Sequence, residues 1–66
     1  MHRNFTFTLM NLRDNQVRSF SSRRMSMNEA IGDAFREVHS LRKDSKDRWK
    51  IISAIDDELH GTLQGQ

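Results

Sequence analysis

Three arginines, Arg18, Arg23 and Arg24, crowd the stretch RSFSSRR just ahead of a helix start. Guanidinium groups at that density suit phosphates or carboxylates, which they grip through paired N–H donors. The other residues able to do chemistry are more scattered. His2, His39 and His60 lie far apart and lack the close spacing of metal ligands, and no cysteine is present to complete a zinc site. Serines are plentiful, but none sits in a glycine-flanked nucleophile elbow, and no glycine-rich phosphate loop occurs. Asp56, Asp57 and Glu58 form an acidic run. Catalytic carboxylate pairs need differentiated surroundings, which three consecutive charges after a strand do not supply. The expectation is a protein that is not an enzyme and uses no metal, cofactor or small-molecule substrate.

Phe5, Phe7, Phe20 and Trp49 could stack on bases beside a basic groove. The phenylalanines, however, alternate with polar residues and read first as core.

Size and charge bound the remaining choices. A chain of 66 residues supports one domain, over residues 1–60, with residues 61–66 as a frayed tail. Such a domain buries only about 60% of the surface its unfolded chain exposes. Without disulfides, packing against a partner is the route left to further burial. No run approaches the roughly 18 apolar residues of a membrane span, so a cytoplasmic protein is expected. Residues 1–26 carry five arginines against one aspartate, and the remainder six basic against eight acidic side chains. The molecule is therefore +4 in one stretch and −2 in the other, a lopsided field that steers polyanions or acidic protein surfaces.

The elements that must carry these residues follow from periodicity. FTFTLM alternates as a half-buried strand, Asp14-Asn15 suits a tight turn, and VRSFSS returns. With that turn centre Leu12 faces Val17 and Leu9 faces Phe20, which gathers Phe5, Phe7, Leu9 and Phe20 on one face. Ser26 and Glu29 form a capping-box pattern. Ala30, Ile31, Ala34, Phe35, Val38 and Leu41 then make one helical stripe, with Gly32 placed for close approach to the sheet. WKIISAI reads as a strand with Trp49, Ile51 and Ile55 toward the helix and Ile52 and Ala54 away from it.

The result is an α+β fold: a small ββαβ domain whose three-stranded sheet carries one helix on one face. Residues 48–60 also fit a helix, through Ile51, Ile52, Ile55 and Leu59. In that form VRSFSSR followed by two helices resembles, in outline over residues 17–60, the ribbon-helix-helix DNA-binding family. The resemblance implies a dimer reading bases with the ribbon, and it leaves FTFTLM without a role.

In the ββαβ form the sheet face away from the helix has no second layer. Met10, Leu12, Val17 and Ile52 would gather there as an apolar patch, with Arg18, Arg23 and Arg24 orienting the encounter. A small regulatory or accessory module is expected, docking a partner protein or a second copy of itself as a homodimer through that face. Nucleic-acid binding through the arginine-bearing hairpin is the alternative.

Overall fold

The computed structural model describes residues 2–58. The expected tail and His60 lie outside the described residues. The chain forms β1 (Arg3–Asn11), β2 (Gln16–Arg24), α1 (Met27–Leu41) and β3 (Trp49–Asp56). Residues 49–56 are thus a strand, and the ribbon-helix-helix outline is not adopted. The sheet order is β2-β1-β3, with both outer strands antiparallel to β1. Among the described residues no helix is long and apolar enough to cross a membrane.

Alternation builds the core. Phe5, Phe7 and Leu9 of β1 are fully buried beneath Ala30 and Ala34 of α1. Two alanines at the contact let the helix settle onto the bulky side chains of the central strand. Phe20, Met27, Ile31, Val38, Leu41, Trp49 and Ile51 pack around this centre.

The hairpin differs from expectation by two residues. Asn11 pairs with Gln16 and Phe7 with Phe20, so the loop is residues 12–15, centred on Arg13-Asp14. Asn15 takes φ 61°, and its N–H donates to the Asn11 carbonyl (2.7 Å). Asparagine tolerates this left-handed geometry well. A two-residue slip preserves side-chain parity, so the expected core face survives. The Phe7 and Phe20 rings lie directly across the strands, their centroids 6.2 Å apart.

The last strand holds a larger correction. Ile51 pairs with Leu9 but Ser53 pairs with Thr8, which leaves Ile52 as an extra residue in a β-bulge. Directly paired residues share a face. Beyond the bulge, therefore, Ala54 and Asp56 join Phe7 and Phe5 on the helix side, while Ile55 joins Thr6 on the uncovered side. The expected helix-side position of Ile55 is reversed by one inserted residue.

The helix begins as its capping pattern implies. Ser26 is the N-cap, its Oγ accepting from the Glu29 N–H (3.4 Å). The Glu29 carboxylate reaches back to the Met25 N–H (3.2 Å), one residue beyond the usual partner in a capping box. Two stripe assignments fail. Phe35 is 61% exposed, and a Cβ on Gly32 would meet nothing within 4 Å. One helix on a three-stranded sheet buries only a narrow strip, and these two positions lie outside it.

Candidate functional site

At the hairpin-loop end, the β1–β2 loop and the segment joining α1 to β3 converge on two buried polar residues, Asn11 and Asp47. Asn11 Nδ2 donates to Asp47 Oδ1 (3.2 Å), while Asn11 Oδ1 accepts from the N–H groups of Arg13 (3.0 Å) and Arg48 (3.2 Å). Asp47 Oδ2 accepts from the N–H groups of Lys43 (3.3 Å) and Asp44 (3.2 Å), just past the helix. Arg13 Nη2 lies 3.2 Å from Asp47 Oδ1. The KDSKD segment ends the helix because this carboxylate captures the backbone donors that follow Leu41 and Arg42. The Asn11 hydrogen bond, with Arg13 and the backbone donors behind it, holds the Asp47 carboxyl below its usual range against the opposing pull of burial.

The opposite end has a different centre. Arg24 grips Asp33 with two hydrogen bonds, Nε to Oδ2 (2.7 Å) and Nη2 to Oδ1 (2.9 Å). Ser22 Oγ donates to Asp33 Oδ2 (2.6 Å), and Arg36 Nη1 lies 3.3 Å from Oδ1. Arg24 and then Ser22 lower the Asp33 pKa from 3.8 to about 2. Arg3 completes this end by pairing with Asp56 (3.1 Å) over the Phe5 ring.

Folding redistributes the charge that the linear sequence displays. β1 runs into the hairpin loop, and α1 returns to the same end before β3 leaves it. Residues 10–19 and 35–50 make up this loop end, with eight basic and four acidic side chains, a net of +4. The other described residues hold three basic and five acidic side chains, a net of −2. The polarity is thus a property of the molecule's long direction, not of its N-terminal half.

The residues expected to form one patch are dispersed. Met10 lies between Val17 and Lys50 on the uncovered sheet face at the loop end. The rest of that face is mostly hydroxyl-bearing, with Thr6, Thr8, Ser19, Ser21 and Ser53 paired across the strands and Ile55 beside Thr6. Ile52 is exposed on the bulge. Arg18 lines a groove of about 330 Å³ with Arg13, Lys43 and Trp49. Arg23 pairs with Asn4 near the opposite end, and Arg24 is engaged by Asp33.

Leu12 leaves the sheet face altogether. It lines a groove of about 630 Å³ with Phe35, Val38, His39, Arg42, Asp47, Arg48 and Trp49. Among the described residues, Leu12 and Phe35 are two of the five large apolar side chains that stand exposed, and the only two of the five in this groove. Sequence reasoning missed Phe35, Arg42 and Arg48 as surface groups because periodicity placed Phe35 in the core stripe and both arginines outside any cluster. Trp49 Nε1 is buried with no acceptor among the described residues. Among those residues no three His, Cys, Asp or Glu side chains are grouped to hold a metal ion.

No family model matches this sequence, and neither a curated protein nor a solved structure matches the chain.

Proposed function

We propose that this protein is a small non-catalytic module that docks a partner protein. The contact surface is the cationic loop end together with the adjoining part of the uncovered sheet face, where Met10, Val17 and Lys50 lie side by side. One observation carries the reading. The same end that concentrates a net charge of +4 also exposes Leu12, Val17 and Phe35. Positive charge beside apolar surface matches an acidic protein face, with charge guiding the encounter and apolar contact holding it. A regulatory or accessory role fits a domain of this size, whose uncovered sheet face and polar ends leave contact area for a partner.

Nucleic-acid binding is the second reading, favoured by the guanidinium groups of Arg18, Arg42 and Arg48, which have no ion pair among the described residues. Salt separates the two, because neutralising several phosphates makes affinity fall steeply between about 50 and 200 mM salt. Fluorescence anisotropy with mixed-sequence DNA and RNA should show weak binding that is gone at the upper salt. Tight binding that persists there overturns the protein-partner reading. Retention on immobilised polyglutamate should fall when Arg18 and Lys50 are both reversed to glutamate, and hold when Arg23 alone is reversed. Equal losses in the two variants would dissolve the end-specific reading.

A further inference from the structure

The larger groove at the loop end has walls of opposite character. Leu12, Phe35, Val38 and Trp49 supply apolar surface, with Leu12 48% and Phe35 61% exposed. Arg42 and Arg48 line it too, and neither guanidinium is paired among the described residues. The one acid that lines it, Asp47, is already occupied by Asn11, Arg13 and two backbone donors. Nothing acidic is left in the groove to answer the two arginines. Its volume of about 630 Å³ falls within the range of roughly 300–1,000 Å³ typical of ligand pockets.

We propose that this groove seats an acidic segment of the partner protein, one that presents an aromatic or aliphatic anchor side chain flanked by aspartate or glutamate. The anchor packs against Leu12, Phe35 and Trp49, and the flanking carboxylates pair with Arg42 and Arg48. This charge arrangement selects against a basic or neutral peptide, because either leaves the arginines unanswered as the groove is covered. The inference rests on reading the loop end as the contact surface, and it adds where on that surface the partner anchors and what chemistry it brings.

A second copy of the chain is the rival occupant, since its opposite end carries Asp56, Asp57 and Glu58. Such a contact would join unlike ends of two molecules and would propagate rather than close. The net charge of +2 also makes copies repel at long range.

Trp49 is the only tryptophan in the chain and lines the groove, so its emission reports occupancy directly. The probe is a capped octapeptide of aspartate and glutamate around a central phenylalanine. Two controls replace the phenylalanine with serine, or the acids with their amides. Titration of the full chain should shift the Trp49 emission saturably with the first peptide, and each control should bind about tenfold more weakly or worse. Phe35→Ser and Arg42→Glu should each weaken binding by a similar factor with an unchanged far-UV circular dichroism spectrum, since both side chains are exposed.

Saturable binding that ignores both substitutions would place the peptide elsewhere and overturn the groove, while loop-end dependence of polyglutamate retention would leave the broader reading intact. An absence of any emission change would overturn the groove as well. Mass that rises with protein concentration in light scattering, and returns to the monomer value in Phe35→Ser, would show a second copy seated there and overturn the partner segment.

Discussion

The two ends of this molecule treat arginine in opposite ways. At the end where α1 begins, Arg24 and Arg3 are each bound to an aspartate, Asp33 and Asp56, and Arg23 is the one arginine there without an ion pair among the described residues. At the loop end Arg13 is bound by Asp47 and Arg36 reaches back to Asp33, while Arg18, Arg42 and Arg48 project without an ion pair among the described residues. The acids differ in kind as well. Asp33 is satisfied wholly by side chains, two arginines and a serine. Asp47 takes backbone donors on one oxygen and side chains on the other. The first clamps two finished elements together, and the second shapes the chain between them. An arginine cluster in sequence is therefore no guide to a site until the position of the nearest carboxylate is known.

The sharpest way to break this comparison is to remove the two aspartates in turn. Asp47→Ala should have the larger effect, because it strands the buried Asn11 amide and the Lys43 and Asp44 donors at once. A fall in melting temperature of about 10 °C is expected for a domain this small. Thermal denaturation followed by circular dichroism measures it, and a loss no greater than that of Asp33→Asn would erase the proposed distinction.

Asp33→Asn should cost less, and its cost should depend on pH. The folded pKa is depressed from 3.8 to about 2. Its contribution is thus fully present above about pH 4 and is lost as the pH falls from 4 toward 2. The gap between wild type and variant, read from urea midpoints, should be constant near neutrality and close across that acid window. Screening limits its size, since Arg24 and Arg36 remain partly solvated. A gap that persists at pH 2 would mean that the ion pair is not its source.

The smallest expected effect is a gain. Gly32 precedes Asp33 in the same helical turn, and an added Cβ there meets open space. Gly32→Ala should stabilise the fold by about 0.5–1 kcal/mol through helix propensity alone. A loss in the denaturation midpoint would show that the paired end does need glycine for a close approach.

Much of this architecture was legible in the residues themselves. Alternation in FTFTLM, the spacing of Ser26 to Glu29 and the β-rich WKIISAI run each specify a local period, and periods are local properties of a chain. The reading lost accuracy wherever the answer depended on a second segment. The turn centre moved by one residue because Asn15, not Asp14, took the left-handed conformation. Phe35 matched the helical stripe but found no sheet beneath it. The bulge at Ile52 exists only in the pairing of β3 with β1, and it reverses Ile55 without leaving a mark in β3 alone. The candidate groove was illegible for the same reason, since Leu12, Phe35, Arg42 and Trp49 come from the hairpin loop, the helix, its C-cap and the last strand.

Composition and patterning by themselves determined the first three elements and their order, the buried face of the hairpin, the helix start and the surplus of arginine, while residues 48–60 fitted either a strand or a helix until β3 paired with β1. Tertiary structure alone decided which arginines are free. That choice turns on distances between residues far apart in the chain: Arg24 meets Asp33 at 2.7 Å, nine positions away, whereas Arg42 and Arg48 come to one groove with no carboxylate left to receive them. Coulomb and hydrogen-bond energies fall off over a few ångströms, so an ion pair is a statement about folded geometry. A sequence supplies the charges, and the fold chooses their partners.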